Sequence, residues 1–209
     1  MTHRRTYSRP ALLAAAACVA LLGACKQTSG VAGQDELANG SATVARHYEG
    51  PKPEGVSSPN DAVTTTFYIP QAAISDMYEI QAAELALVRA RSPELKAFAQ
   101  MMINDHKKTS AALRQFVADN PVNIAPPANL DARRAAMISN LRSAGDQEFD
   151  SQYIGQQAAA HQEALNLHKS YAARGDYPAL KKLAQSTVAV IEKHHQAAVS
   201  LDKKLGPAA

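Results

Sequence analysis

The residues of this 209-residue chain that could do chemistry are histidines and acids placed at helical spacing. The primary candidates for a metal site are Glu79, His106, His161 and His194. Three imidazoles and one carboxylate suit a divalent ion such as Zn, Cu or Fe, because these ions bind nitrogen ligands well and also accept oxygen. The same side chains can instead form a metal-free polar network, or they can be unrelated to one another. The residue types alone leave these alternatives open.

Helical angles indicate which of the histidines face a common core. At 100° per residue, His106 lies at the centre of the apolar stripe of its helix, and His194 does so on the last helix. The adjacent His195 is turned by roughly 100° and belongs to the flank. His161 lies on the same line as several apolar residues of its own helix. Three histidines are therefore predicted to point inward.

An acid is also predicted to face inward from the first helix, but the pattern does not decide which one. Asp76 lies inside the apolar arc of that helix, and Glu79 lies at its edge. Glu79 and His106 are nearly equidistant from the turn between their helices, to within about 3 Å. His161 and His194 differ more in their distance from the turn between their helices, by about 6–7 Å along the helix axis.

Four further residues are secondary candidates for the site: Asp76, Asp105, His168 and His195. His168 lies one helical repeat beyond His161 and could serve as an outer ligand. It could equally be a half-buried residue near the end of its helix.

An enzyme is not expected, and no catalytic residue is predicted. A di-iron oxidase of the helical-bundle type needs two glutamates and two Glu-x-x-His pairs that all point inward. The pair Glu192 and His195 has the right spacing but points away from the core line, and Ile103 stands where a second acid would be needed. The sequence also contains no glycine-rich phosphate loop and no serine nucleophile motif.

The elements that must position these residues are helices. The chain is rich in Ala, Leu, Gln and Lys, and its breaks at "RSPEL", "DNPVNIAPPANLD" and "ARGDYPAL" leave four long helices and a short one at about 131–143. Thr66, Ser92 and Asp176 are predicted helix caps, with Pro70 in the first turn of helix one. Two hairpins joined by a long crossover predict an all-α, ferritin-like four-helix bundle over residues 62–206, with a helical hairpin array as the alternative.

Tyrosines are predicted to lie at the ends of this bundle, where their hydroxyls can reach water. The residues concerned are Tyr68, Tyr78, Tyr153, Tyr171 and Tyr177. Met102 is instead predicted to fill the core, since it lies on the apolar line of helix two.

The N-terminus predicts export and lipidation. Residues 1–24 combine three arginines, a short apolar run and small residues, which is typical of a signal peptide and too short for a membrane span. The sequence Leu22-Gly23-Ala24-Cys25 resembles the lipobox of bacterial lipoproteins, so Cys25 is the predicted lipidation site. Lys26 follows it, which by the same resemblance favours the outer membrane over the inner one. We therefore expect a protein of the cell envelope that faces the periplasm.

Residues 25–61 are predicted to be a flexible tether, because they contain few large apolar residues and many Gly, Ser, Pro and Asn. After removal of the signal peptide, 19 basic and 19 acidic residues remain. A net charge near zero gives no basic surface for nucleic acid, so membrane attachment would depend on the lipid.

The chain resembles a known protein family from about residue 66 to about residue 205. It is carried by "SDMYEIQAAELALVRARSPELKAF", "FAQMMINDHKKTSAAL", "FDSQYIGQQAAAHQEALNLHKSYA" and "LKKLAQSTVAVIEKHHQAAVSL". These segments resemble the exported bacterial proteins grouped as domain of unknown function 4142, for which a ferritin-like fold is expected. The resemblance implies that Glu79, Asp105, His106, His161 and His194 occupy the recurrent polar positions of the family. It implies no activity.

Two functions therefore remain as hypotheses. The first is a lipid-anchored envelope protein that binds a metal ion through core histidines and a carboxylate. The alternative is a non-catalytic structural or interaction module with a metal-free polar core, which would use its outer helix faces on an envelope protein partner.

Overall fold

In a computed structural model of the chain, residues 63–205 are described, and most of them are helical. The predicted signal peptide, Cys25 and the tether lie outside the described residues. The five helices in this part of the chain are α1 (Thr65–Arg89), α2 (Pro93–Asp119), α3 (Ala132–Ser143), α4 (Phe149–Arg174) and α5 (Pro178–Leu205). The prediction of an all-α domain with four long helices and one short helix is confirmed.

The ends of the helices follow local capping rules, with two corrections to the predicted caps. Ser92 caps α2 by accepting from the backbone N of Leu95 at 3.3 Å, and Pro93 is the first helical residue, as predicted. The prediction that Thr66 caps α1 is wrong, because Thr64 accepts from the backbone N of Phe67 at 3.3 Å instead. Pro70 therefore lies inside α1, beyond its first turn.

The second correction concerns Asp176, which was expected to cap α5. That helix begins only at Pro178, and the Asp176 carboxylate accepts from the backbone N of Thr65 at 2.9 Å and from the Tyr171 hydroxyl at 2.9 Å. The carboxylate thus joins the start of α1 to the end of α4.

Contacts between helix ends fix the direction of each long helix. The Tyr177 hydroxyl, just before α5, donates to Asn120, just after α2, at 3.0 Å. At the opposite end, Lys204 near the end of α5 donates to Glu94 near the start of α2 at 2.6 Å. Together with the Asp176 contact, these bonds show that α1 and α5 run one way and α2 and α4 run the other. Around the bundle the order is α1, α2, α5, α4.

The connection from α2 to α4 travels the full length of the bundle and contains α3. Asp131 caps α3 by accepting from the backbone N of Arg134 at 2.7 Å. The guanidinium of Arg89 donates to the carbonyls of Leu141 and Ala144, both at 2.6 Å, and so satisfies the C-terminal end of α3. The short helix predicted in this crossover is therefore confirmed, and it packs on α1 and α4.

The prediction that the tyrosine hydroxyls reach water is wrong for four of the five residues, although Tyr68, Tyr171 and Tyr177 do lie near one end of the bundle. Tyr68, Tyr78, Tyr153 and Tyr171 are at most 1% exposed, whereas Tyr177 lies half-buried at an end. The buried hydroxyls of Tyr68, Tyr78 and Tyr171 bond to other side chains. A hydroxyl that finds such a partner can be buried at little cost. Met102 is fully buried, as expected.

Candidate metal centre

Three histidine rings from three helices meet in the middle of the bundle. His106 comes from α2, His161 from α4 and His194 from α5, and each is at most 1% exposed. Their ring centroids form a nearly equilateral triangle with sides of 5.7, 5.2 and 5.4 Å. One nitrogen of each ring lies within 4.8 Å of the others. We call these three residues the histidine triad.

His106 is held in place by a carboxylate from the neighbouring helix. Its Nδ1 lies 2.8 Å from Oδ1 of Asp76 on α1. The hydroxyls of Thr109 and Ser110, one turn further along α2, donate to the same carboxylate at 2.9 and 3.1 Å. Because a carboxylate oxygen accepts, the neutral form of the ring carries its hydrogen on Nδ1 and keeps the lone pair on Nε2.

The other two rings are anchored in the same manner. His161 Nδ1 donates to the backbone carbonyl of Gln157 at 2.8 Å, and His194 Nε2 donates to Oδ2 of Asp105 at 3.1 Å. The Lys108 ammonium holds the second oxygen of Asp105 at 3.0 Å. Both acceptors leave the opposite ring nitrogen with its lone pair.

The remaining nitrogen of every ring has no hydrogen-bond partner in the protein. These atoms are Nε2 of His106, Nε2 of His161 and Nδ1 of His194. Buried polar atoms are nearly always paired, and each exception needs an explanation. A buried nitrogen lone pair is satisfied by a proton or a cation, so these three atoms are candidate ligand atoms.

Glu79, the fourth predicted ligand, lies beside the histidine triad, outside the set of mutually close ligand atoms. Its Oε1 is 3.8 Å from Nδ1 of His161, and neither of its oxygens has a hydrogen-bond partner. Burial raises the pKa of its carboxyl, although His106 and the Gln157 amide lower it. That amide acts on Glu79 from nearby, but its geometry falls short of a hydrogen bond.

The secondary candidates have different positions. Asp76 and Asp105 are the anchors of two triad rings, so they support the ligand atoms without joining them. His168 is buried but bonds to the Tyr68 hydroxyl at 2.8 Å, away from the triad. His195 is half-buried on the flank of α5, as its helical angle predicts.

Electrostatics favour neutral, coordinating imidazoles at His161 and His194, whereas His106 is shifted toward its protonated form. Burial lowers the pKa of His161 to about 3 and that of His194 to about 4. Burial also opposes protonation of His106, but the hydrogen bond and charge of Asp76 outweigh it, so the pKa of His106 is raised. A carboxylate that raises the basicity of an imidazole is a common feature of metal-ligating histidines.

The sequence predicted Tyr153 only as a residue at a bundle end or as a partner of the core histidines in a metal-free network, and Gln157 was missed. The Tyr153 hydroxyl and both amide atoms of Gln157 are buried without a hydrogen-bond partner. Both residues lie on α4 at helical spacing from His161. Gln157 is four residues before it, and Tyr153 is eight residues before it. That periodicity was visible in the sequence, but whether the atoms would find partners was not.

The donor set fits a metal ion after a small contraction. Two nitrogens bound to one tetrahedral zinc at 2.0–2.1 Å are about 3.3 Å apart, so the rings need to close by roughly 1 Å or less per ring from the observed spacing. Each ring also has the acceptor on its outer nitrogen that orients metal-bound histidines in other proteins. The three side chains are therefore compatible with divalent ions of intermediate softness, such as zinc.

None of the helices within residues 63–205 has an apolar stretch long enough to cross a bilayer. Comparison with curated proteins and with solved structures finds no significant match to the chain. Comparison with protein families finds one match, described as Domain of unknown function (DUF4142), over residues 50–201. The matched part includes the histidine triad, its anchors and Glu79, and it is well over half of the chain. The chain therefore belongs to the DUF4142 family.

Proposed function

We propose that this chain is a lipid-anchored protein of the bacterial cell envelope whose helical bundle binds one divalent metal ion at the histidine triad. The observation that carries this proposal is the pairing of the ring nitrogens. Every ring has an acceptor on its outer nitrogen, while the inner nitrogen has no partner. The ion would be Zn, Cu or Fe, since these bind imidazole readily.

The hydrogen bonding disfavours the alternative of a metal-free polar network. In such a network the histidines would bond to one another or use both nitrogens on acids. Here each ring makes one bond outward, and the inward capacity of all three is unmet. A divalent cation would satisfy the three lone pairs with one partner.

The proposed fold is the ferritin-like version of a four-helix bundle. Support comes from the helix directions, with α1 and α5 opposite to α2 and α4, and from the single long crossover between the two hairpins. The proposed location rests on the sequence Leu22 to Cys25 and on the basic, apolar segment before it.

Storage, buffering or sensing of a metal is the proposed role, and catalysis is not. A di-iron oxidase needs four glutamates around its metals, but within residues 63–205 only one carboxylate, that of Glu79, lies beside the triad without a hydrogen-bond partner. Ile103 occupies the buried position on α2 where another acid would be required.

Two adjacent histidines provide a matched test of metal binding. Full-length, untagged protein purified from membranes would be stripped of metal and titrated calorimetrically with Zn²⁺, alongside His194→Ala and His195→Ala. We expect one ion per chain for the wild type and for His195→Ala, and loss of tight binding for His194→Ala. Circular dichroism would show that both variants remain helical.

Equal zinc binding by the two variants, or no binding by the wild type, would overturn the metal proposal and favour the interaction module. The lipid anchor has a separate test. The wild type should incorporate labelled fatty acid and Cys25→Ser should not, whereas an unlabelled wild type or a labelled Cys25→Ser would contradict lipid anchoring at Cys25.

A further inference from the structure

A second group of unpartnered polar atoms lies next to the histidine triad. It consists of both oxygens of Glu79, the amide oxygen and nitrogen of Gln157, and the hydroxyl of Tyr153. All three residues are at most 1% exposed. We call them the polar pocket.

Helical spacing and electrostatic coupling place the polar pocket against the triad. Tyr153, Gln157 and His161 follow one another at intervals of four residues on α4, so their side chains share one face of that helix. Burial first, and then the charge of Glu79, raise the pKa of the Tyr153 hydroxyl well above its ordinary value. Oε1 of Glu79 also lies 3.8 Å from Nδ1 of His161, the nitrogen that donates to the Gln157 carbonyl. Glu79 therefore lies close to His161, to Gln157 and to Tyr153.

The ring of Phe98 borders the polar pocket on the side of α2. Its centroid lies 6.3 Å from that of Tyr153 and 6.4 Å from that of His161, in edge-on contact with both. The five polar atoms are buried without a partner in the protein, and a small species that hydrogen-bonds to them would remove the cost of leaving them unpaired.

The chemistry of the pocket indicates what that species is. A carboxylate accepts, a carboxamide both donates and accepts, and a phenol does the same. Such a set suits a small ligand that carries a lone pair for the metal and O–H groups for the pocket, which describes water or hydroxide. Three histidines and one exchangeable ligand is also the composition of open metal sites.

We propose that an ion on the triad keeps an exchangeable fourth position, occupied by a water-derived oxygen ligand that Glu79, Gln157 and Tyr153 hold by hydrogen bonds. This inference rests on the proposed metal binding and goes further, because it makes Glu79 a partner of the exchangeable ligand instead of a ligand of the metal. The centre would then accept other small anions in place of hydroxide.

Cobalt substitution tests the inference, because the visible spectrum of Co²⁺ reports its ligands directly. Full-length protein would be loaded with Co²⁺, and sodium azide would be added to equilibrium, with time allowed for entry into a buried site. We expect a saturable change of the cobalt bands in the wild type. Tyr153→Phe and Gln157→Leu should each weaken azide binding about tenfold, as expected for one lost hydrogen bond to an anion.

Controls separate the pocket from the triad. Tyr78→Phe alters another buried tyrosine, whose hydroxyl is already bonded to Gln156 at 2.8 Å, and should leave azide binding unchanged. Glu79→Gln should retain Co²⁺ with an affinity within about a hundredfold of the wild type, as expected for a residue that does not bind the metal directly.

Three results are distinguishable. Failure to bind Co²⁺ or Zn²⁺ at all would refute the proposed function, and with it this inference. Binding of Co²⁺ with no azide response would refute the exchangeable position alone. Loss of Co²⁺ in Glu79→Gln, beyond about a hundredfold, would show that Glu79 is the fourth ligand and would also overturn the inference.

Discussion

Two polar clusters in this bundle, one fully buried and one that reaches the surface at Asp176, differ in how well their hydrogen-bonding groups are satisfied. The first is the histidine triad with its polar pocket. The second, which we call the tyrosine cluster, consists of Thr65, Tyr68, His168, Tyr171 and Asp176 near the end where α1 and α5 begin. In the tyrosine cluster the rings of Tyr68 and Tyr171 are stacked with their centroids 4.1 Å apart. Their hydroxyls form hydrogen bonds with neighbouring side chains.

The difference lies in unmet hydrogen-bonding capacity. Among the described residues, eight buried side-chain atoms lack a partner, and all of them belong to the triad or the polar pocket. None belongs to the tyrosine cluster, although His168 is as deeply buried as a ligand would be. Burial of a histidine is therefore a poor indicator of a binding site. An inward nitrogen without a partner is a better one.

The largest expected effect compares His161 with His168, which lie two turns apart on α4. His161→Gln should weaken Zn²⁺ binding about 1,000-fold, because one of four ligands provides a share of the roughly 10–16 kcal/mol of a zinc site. His168→Gln should change the affinity by less than about threefold. Competition with a chelating dye would measure both, and similar losses in the two variants would erase the distinction between the clusters.

The next effect concerns acid stability. Burial lowers the pKa of His168 from its ordinary 6.5 to about 4, so the unfolded chain takes up a proton that the folded ring resists. The free energy of unfolding is highest above pH 6.5 and should fall by up to about 3 kcal/mol from this residue as the pH drops to 4.

Urea unfolding of metal-free wild type and His168→Gln at pH 7, 5.5 and 4 would measure this. The variant should lose that part of the pH dependence, whereas the contributions of His161 and His194 remain in both proteins. Parallel pH profiles would show that His168 does not titrate in this way.

A smaller effect is expected from the anchors. Asp76→Asn keeps the shape of the side chain but weakens the hold on His106, and it should reduce Zn²⁺ affinity by about 10–100-fold. Asp176→Asn removes the corresponding charge from the tyrosine cluster and should leave the affinity unchanged. If both substitutions were silent, the orientation of His106 would not depend on the carboxylate.

The smallest effect compares two buried hydroxyls in metal-free protein. Tyr68→Phe leaves Nδ1 of His168 unpaired and should lower the free energy of unfolding by about 1–2 kcal/mol. Tyr153→Phe removes a hydroxyl that has no partner, so it should be neutral or slightly stabilising. Thermal unfolding of the two variants would test this, and an equal loss would mean that Tyr153 is satisfied in solution.

Much of the fold was accessible from the sequence, because its signals are local. Ser92 followed by Pro93 marks the start of α2, and the breaks around residues 90–92, 120–131 and 175–177 separate the helices where the structure does. The inward direction of His106, His161 and His194 also follows from helical angles. Errors of about two residues at the start of α1 arose because three consecutive threonines offer the same capping hydroxyl.

The details of the site were less accessible, because they depend on contacts between helices. Asp76 and Glu79 both lie on the inner arc of α1, and only the packing of α2 and α4 makes one an anchor and leaves the other unpaired. The burial of the tyrosine hydroxyls was not predicted for the same reason. Their burial depends on partners such as His168 that are far away in sequence.

The division of the bundle into two hairpins has a consequence for the stability of the metal-bound protein. His106 belongs to the hairpin of α1 and α2, whereas His161 and His194 belong to the hairpin of α4 and α5. A bound ion would join the two hairpins, and at a hundredfold excess over its dissociation constant it would add about 2.7 kcal/mol to the free energy of unfolding. Proteases that act on the opened chain would then degrade the empty protein faster than the loaded one.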